Sequence, residues 1–364
     1  MWNVESEDTM RVFFFWEPVG GLTLQHKCNP YAGLLAQELA QLDIHLELGN
    51  YALEKSWLES HRDSFDVLHL HWLHYFYRRK TLEESITEYA KFAENLTYAK
   101  HQLNYKIVWT LHNVYPHERP FPQIDHLARL LVCGLADFVL CHCHYAERIA
   151  EKLFHRTHHV RVIPHGNFID AFPNEISQSD ARQKLGISKD AFVYLFFGNA
   201  RAYKGIEHLL DAFCAGAKED AVLVLMMRKS FDVTYAEQIE SIAKRDSRVR
   251  VYTDPFFPES DFQIYINASD ITVFPFSEVL TSGSAITALS FGKPIILPRL
   301  GCLPELIDNR MGILYDVKAN NGLKDALTQA RNLDLNVAQT AAFECANRLN
   351  WRDISSQLAE VYRA

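Results

Sequence analysis

The chain has 364 residues with 37 Lys and Arg against 45 Asp and Glu, a formal net charge of −8. Its 48% hydrophobic and 23% charged residues are the make-up of a folded globular protein, long enough for two domains that each bury a core. The acidic balance argues against a general nucleic-acid binder, which draws most of its affinity from a basic surface.

In chain order the first stretch, Met1 to Asp8, is acidic, the wrong sign for a signal peptide, and no apolar run approaches a membrane span; a cytoplasmic location is expected. Arg11 to Trp16 reads as the first strand and delivers the chain into Glu17-Pro18-Val19-Gly20-Gly21, a turn ahead of a helix through Leu34 to Leu42. Gly20 and Gly21 form either a plain turn or a backbone platform for a ligand. Their place at the carboxyl end of the first strand favours the platform. Asp66 to Trp72 is another strand. His69 and His71 share one face of it, but no second cluster at ligand spacing completes a metal site, so a strand end lining a cleft is expected. The aromatic and basic run Tyr75 to Lys80 suits a membrane surface, an anionic acceptor or a solvated helix entry. From Thr81 to Leu103 the pattern is amphipathic, with Leu82, Ile86, Tyr89, Phe92, Ala93 and Leu96 on the side expected to dock on the first sheet.

The strand Lys106 to Leu111 ends in His112, where an imidazole can hydrogen-bond a ligand. His117 and Glu118 orient an acceptor, act on its hydroxyl as base, or tie down the loop after Pro116. Cys141-His142-Cys143-His144 follow the apolar run Phe138 to Leu140. Alternation sets the cysteines and histidines on opposite sides, a poor tetrahedral site, and predicts buried thiols. The seven cysteines, odd in number and scattered, fit reduced thiols rather than a disulfide framework. Val160 to Pro164 is the last strand of this half, and polar Asp170 to Asp190 reads as a linker.

Phe192 to Phe197 opens the second half as a continuous apolar strand. The loop behind it, Gly198 to Gly205, holds Arg201 and Lys204 at a carboxyl edge, where two cations can neutralise a diphosphate. Strands at Val222 to Met226 and Val249 to Tyr252 follow. After the buried strand Ile271 to Phe276 come Glu278 and then Thr281, Ser282, Gly283 and Ser284, where a helix must begin. The hydroxyls can cap it, Gly283 lets a ligand approach the backbone, and the first-turn N–H groups make an anion seat. The helix Ala285 to Phe291 stops at Gly292-Lys293-Pro294, and Ile295 to Leu297 form the next parallel strand. An amphipathic helix from Asn350 through Leu358 and Tyr362 ends the pattern.

The stretch Phe274 to Glu305 resembles the donor-binding motif of GT-B glycosyltransferases, and within them the retaining family 4. The family's form is Glu, seven residues, then Glu-Ala-x-Ala-x-Gly-x-Pro-Val. Ala288 and Gly292-Lys293-Pro294-Ile295 match its tail, Thr287 stands where the second Glu should be, and Glu278 lies one residue off the family spacing. Gly198 to Gly205 is similar to the family's Gly-x-x-x-x-x-Lys-Gly, Thr110 and His112 to its Thr-x-His, and Val162 to Asn167 to its Val-Ile-Pro-Asn-Gly-Val.

This resemblance implies an α/β fold of two facing doubly wound, Rossmann-like parallel-sheet domains. Residues 1–168, with the helix 350–364 packing back, would form the acceptor side, and 169–349 would bind a nucleotide sugar. The implied reaction moves a hexosyl unit from a GDP- or UDP-sugar to an acceptor hydroxyl with retention, without metal or cofactor. Gly20, Gly21, Arg201, Lys204, Thr281, Ser282, Gly283 and Ser284 would hold the diphosphate. Thr287 would stand toward the ribose, Glu278 would hold sugar hydroxyls or the oxocarbenium-like face, and His112 would bind the sugar from the first domain. The acceptor would be a saccharide or lipid-linked saccharide, and Tyr77 to Lys80 permit contact at the inner membrane face. The same architecture serves nucleotide-sugar epimerases, for which Glu118 and His117 could supply acid and base. The missing second Glu would also suit a non-catalytic or partner-activated subunit.

Overall fold

The computed structural model describes residues 9–16, 29–229 and 232–364. The Gly20-Gly21 turn lies outside them. Two compact units divide the chain, 1–166 together with 350–364, and 167–349.

The first unit is built on a six-stranded sheet: β1 Met10–Phe15, β2 Ile44–Leu48, β3 Val67–Leu70, β4 Lys106–Leu111, β5 Phe138–Cys141 and β6 Val160–Val162. All neighbours pair in parallel, in the order β2-β1-β3-β4-β5-β6. Parallel neighbours need long crossovers, which here are helices, and the strands between them are buried apolar runs. Val12 to Phe15 and all of β3 are buried. Strand β2 carries no such run. It is one of the two edge strands, Ile-His-Leu-Glu-Leu, buried only at Ile44 and Leu46, which is why composition alone did not mark it.

Thr81 and Glu84 form a capping box at the start of the helix Leu82–His101. The first turn faces inward on Ser85, whose hydroxyl donates to Thr81 O at 2.8 Å and accepts from Arg79 N at 3.0 Å. Leu82 and Ile86, expected on the docking stripe, therefore flank it outside, 49% and 52% exposed; the stripe runs through Phe92, Leu96 and Ala99.

The second unit repeats the plan with β7 Phe192–Asn199, β8 Ala221–Arg228, β9 Val249–Asp254, β10 Ile271–Val273, β11 Ile295–Pro298 and β12 Gly312–Tyr315. The parallel order is β12-β11-β10-β7-β8-β9. Val193 to Phe197 and Leu223 to Met227 make the centre of its core. At the amino end of the sheet Asp270 takes a buried ion pair from Arg182 at 2.7 Å and the N–H of Val193 at 2.7 Å, fixing the helix Gln178–Leu185 beneath β7 and β10.

The helix Trp351–Arg363 belongs to the first unit. A Cβ on Gly166 would come within 2.3 Å of the Trp351 ring, and Tyr362 Oη lies 2.5 Å from His69 Nδ1. Cys133, Cys141, Cys214 and Cys345 are free thiols and Cys141 and Cys143 are buried, as the alternation predicts, but Cys143 is disulfide-bonded, against the expectation of a reduced thiol. Number and scatter along a sequence do not report the few-ångström approach of Cα atoms that permits a bridge.

Candidate functional site

Each sheet reverses its strand order once, between β1 and β3 in the first unit and between β7 and β10 in the second. Open parallel sheets take ligands outside the carboxyl ends of the strands at such a reversal. In the second unit, the loops that follow β7 and β10 are fastened together. Ser277 donates to Tyr203 O from its N–H at 2.9 Å and from its hydroxyl at 3.2 Å. Gly205, at φ +67°, passes so close to Pro275 that a Cβ would lie 2.2 Å from its carbonyl oxygen.

These loops surround Gly198, which has φ +143°. A Cβ there would lie 3.6 Å from Ser284 Oγ and 3.8 Å from Lys204 Nζ, so hydroxyl and ammonium flank one bare Cα. Ser282 caps the helix Gly283–Ser290 by accepting from Ala285 N at 3.2 Å. That leaves the first-turn N–H groups of Gly283 and Ser284 at the positive end of the helix. Lys204 is 8% exposed, with its ammonium 4.7 Å from the centre of the Phe276 ring. Burial, and secondly the charge of Arg201, brings its pKa from 10.5 down to about 8. Such an ammonium lacks the solvation it would have in water, and an anion placed beside it restores the loss.

Thr281 is half-buried and Glu278 exposed on the loop ahead of this helix. Thr287 is 6% exposed and its hydroxyl donates to Gly283 O at 2.9 Å, so it keeps only oxygen lone pairs to offer a ligand.

In the first unit Trp16, His71, His112 and His142 each follow directly on a strand: β1, β3, β4 and β5. Both ring nitrogens of His112 are engaged within the unit, Nε2 with His71 Nδ1 at 2.8 Å and Nδ1 with His142 Nε2 at 3.2 Å. His142 Nδ1 lies 2.9 Å from Ile163 O. Beneath them His69 Nε2 meets Thr110 Oγ1 at 2.8 Å, and beside them His165 donates from Nδ1 to Gly166 O at 2.7 Å. Burial lowers His142 to about 4, His69 and His165 to about 3, and His71 and His112 well below the ordinary value. All five are neutral at pH 7. His117 is half-buried and Glu118 exposed in the segment between β4 and the helix Pro122–Leu135. Among the described residues no group of three or more His, Cys, Asp or Glu could hold a metal ion.

The sequence reading singled out His112 and passed over His71 and His142 as ligand groups. Their common signal is position, a histidine immediately behind an apolar strand. In the basic run, Arg78 pairs with the buried Asp125 at 3.3 Å and Arg79 with Glu88 at 2.8 Å, so two of its three cations are taken up by the unit itself. Among the described residues no helix is long and apolar enough to cross a membrane.

Residues 191–332 match the family described as Glycosyl transferases group 1. Among curated proteins the chain is 26% identical over 242 residues to a GDP-mannose:glycolipid 4-beta-D-mannosyltransferase of Xanthomonas campestris pv. campestris, covering 64% of this chain and 61% of that protein. It is 28% identical over 217 residues to a D-inositol 3-phosphate glycosyltransferase of Saccharomonospora viridis, covering 56% of this chain and 50% of that one. The chain thus spans between half and two thirds of the length of these relatives. Among solved structures, sucrose-phosphate synthase from Thermosynechococcus elongatus superposes with a TM-score of 0.73 at 17% identity over 97% of this chain and 98% of that one. Anabaena HepE in complex with UDP-glucose gives 0.72 at 16% identity over 97% and 99%. The fold is that of the GT-B glycosyltransferases, two Rossmann-like units with parallel sheets.

Proposed function

We propose that the protein, whose residues 191–332 match the Glycosyl transferases group 1 family, moves a hexosyl unit from a nucleoside diphosphate sugar to an acceptor hydroxyl. The observation that carries this is the convergence of Lys204 Nζ and Ser284 Oγ on the bare Cα of Gly198 at the β7/β10 reversal. A diphosphate fits there with its oxygens toward the ammonium, the hydroxyl and the start of the helix Gly283–Ser290.

The bond between the sugar's anomeric carbon and the diphosphate breaks, the acceptor oxygen bonds to that carbon, and the acceptor hydroxyl's proton passes to an oxygen of the leaving diphosphate. Negative charge grows on the leaving diphosphate. Lys204, already desolvated, meets that charge with Arg201 and the helix N-terminus, without reorganising water. These groups supply the positive charge that a divalent ion would otherwise bring, so the transfer is read as metal-independent. The outcome is read as retention, following the resemblance in Phe274 to Glu305, and the anomeric configuration of the product, seen by NMR, tests it.

The donor is a GDP- or UDP-sugar: one relative is named for GDP-mannose, and one fold neighbour was solved with UDP-glucose. The acceptor is a saccharide or lipid-linked saccharide, as in polysaccharide or glycoconjugate synthesis in the cytoplasm; the mannosyltransferase is named for a glycolipid. The test is a thermal-shift panel of GDP-, UDP-, ADP- and dTDP-sugars, first without metal and then with magnesium. A donor raises the melting point without metal because it binds the folded state alone. No shift with any of them would overturn the reading. Consumption of the sugar nucleotide without acceptor, yielding an isomer, would replace transfer by epimerisation.

A further inference from the structure

The hydrogen bonds along the row of imidazoles fix the position of every proton in it. The carbonyl oxygen of Ile163 can only accept, so His142 Nδ1 carries a hydrogen. A neutral imidazole has one N–H, which makes His142 Nε2 a lone pair that accepts from His112 Nδ1. His112 Nε2 is then a lone pair in turn and accepts from His71 Nδ1. The series ends at His71 Nε2, an acceptor with no hydrogen-bond partner on a side chain 3% exposed.

Two donors lie in the same cluster. The indole N–H groups of Trp16 and Trp72 are also buried without a partner. Trp16 packs edge-on to His71 with ring centres 5.1 Å apart and lies 5.8 Å from Trp72, which stacks on His112 at 4.7 Å. Buried polar atoms left unmatched are costly and rare, and each calls for an explanation, such as a water or a ligand that supplies the missing partner. Trp16 and His71 follow β1 and β3, the two strands between which the sheet order reverses.

We propose that this cluster is a hydroxyl-recognition site for a saccharide. A sugar O–H donates to His71 Nε2, its oxygen accepts from an indole N–H, and His112 and His142 are positioning residues that hold His71 in the accepting tautomer. The saccharide identity rests on the transferase reading; the tautomer chain does not. A neutral lone pair accepts a hydroxyl hydrogen and repels the oxygens of a phosphate or carboxylate, so this site has the opposite preference to the anion seat around Gly198. It also shifts the ligand contact expected of His112, both of whose nitrogens are spent on its neighbours, to His71.

The test is long-range 1H–15N NMR on the full chain with labelled histidine. At pH 7, His71, His112 and His142 should all be protonated on Nδ1. Methyl mannoside or methyl glucoside, alone or with UDP or GDP present, should move the His71 Nε2 resonance, and inorganic phosphate should not. His142→Phe removes the acceptor that orders the row, so His71 should lose its single tautomer although Phe preserves most of the ring's bulk. In a turnover assay, His71→Phe should raise the acceptor KM about tenfold. A hydrogen on His71 Nε2 overturns the proposal. So does a His71 Nε2 resonance that no saccharide moves, which would leave a buried water as the only occupant. The NMR readout needs no turnover, so failure to bind any sugar nucleotide would refute the transferase reading alone. Transfer activity together with a protonated His71 Nε2 would refute the hydroxyl site alone.

Discussion

Lys204→Met separates what the ammonium does for binding from what it does to the fold. A lysine whose folded pKa, here about 8, lies below its unfolded value of about 10.4 opposes folding wherever it carries its proton. The opposition is complete below pH 8, fades between the two pKa values and is gone above the unfolded one. At about 1.4 kcal/mol per pKa unit it is on the order of 3 kcal/mol at pH 7. Methionine fills much of the same space without the charge, so the ligand-free variant should melt several degrees higher at pH 7, at roughly 2–4 °C per kcal/mol. The same change removes a charge-assisted contact worth about 1.5–3 kcal/mol, and a sugar nucleotide should bind about 10–100-fold more weakly. Calorimetric titration against pH adds a second signature. Wild-type affinity should be level at neutral pH and fall about tenfold per unit above pH 8, as the free chain releases the Lys204 proton, while the variant should show no such slope. A variant that melts lower, binds as tightly as wild type and keeps the slope would refute the placement of the diphosphate at Lys204.

Gly198→Ala adds a methyl between Lys204 Nζ and Ser284 Oγ at φ +143°; it should cost about 1–3 kcal/mol of strain and weaken sugar-nucleotide binding, read by titration with circular dichroism as the control for folding. Gly205→Ala meets the Pro275 carbonyl at 2.2 Å and should cost more, upward of about 3 kcal/mol in urea unfolding, because backbone rather than a side-chain tip must yield. Asp270→Asn leaves the Arg182 charge buried without its counter-ion. It should lose about 3–5 kcal/mol while the folded fraction binds sugar nucleotide as wild type does. Tyr362→Phe removes the partner of His69 Nδ1 and should cost about 1 kcal/mol, seen as faster amide exchange in the first unit only.

The central strands were legible because a parallel sheet covered on both faces needs apolar runs, and Phe192 to Phe197 and, within the strand Lys106–Leu111, Ile107 to Trp109 are such runs. Edge strand β2 carries no such run and edge strand β12 only the three residues Ile313 to Tyr315, and neither was marked. The loop cations and helix-capping hydroxyls of the second unit could be read because each lies just behind a legible strand. Their approach to Gly198 depends on the strand order, which the sequence does not contain. The imidazole row was invisible for the same reason: its partners are 41 and 30 residues apart, joined only by β3, β4 and β5 lying side by side. Periodicity found the helix Leu82–His101 but not which of its turns meet the sheet, so Leu82 and Ile86 were placed inward when Ser85 holds that position.

The second unit is one unbroken stretch, 167–349, whereas the first is completed only by residues 350–364. During synthesis the second unit can close once its own stretch has left the ribosome. The first must wait, with the surface over Gly166 uncovered until Trp351 arrives and His69 lacking its Tyr362 contact. Domains commonly finish in the order in which they are made, whereas here the first unit is complete only when residues 350–364 have joined it. Where the inserted stretch begins and ends, Asn167 N donates to Leu349 O at 2.8 Å and Asn167 Nδ2 to Ala346 O at 2.9 Å. The later-made unit thereby draws the two connecting segments together, shortening the search that the terminal helix must make to reach a sheet translated some two hundred residues earlier.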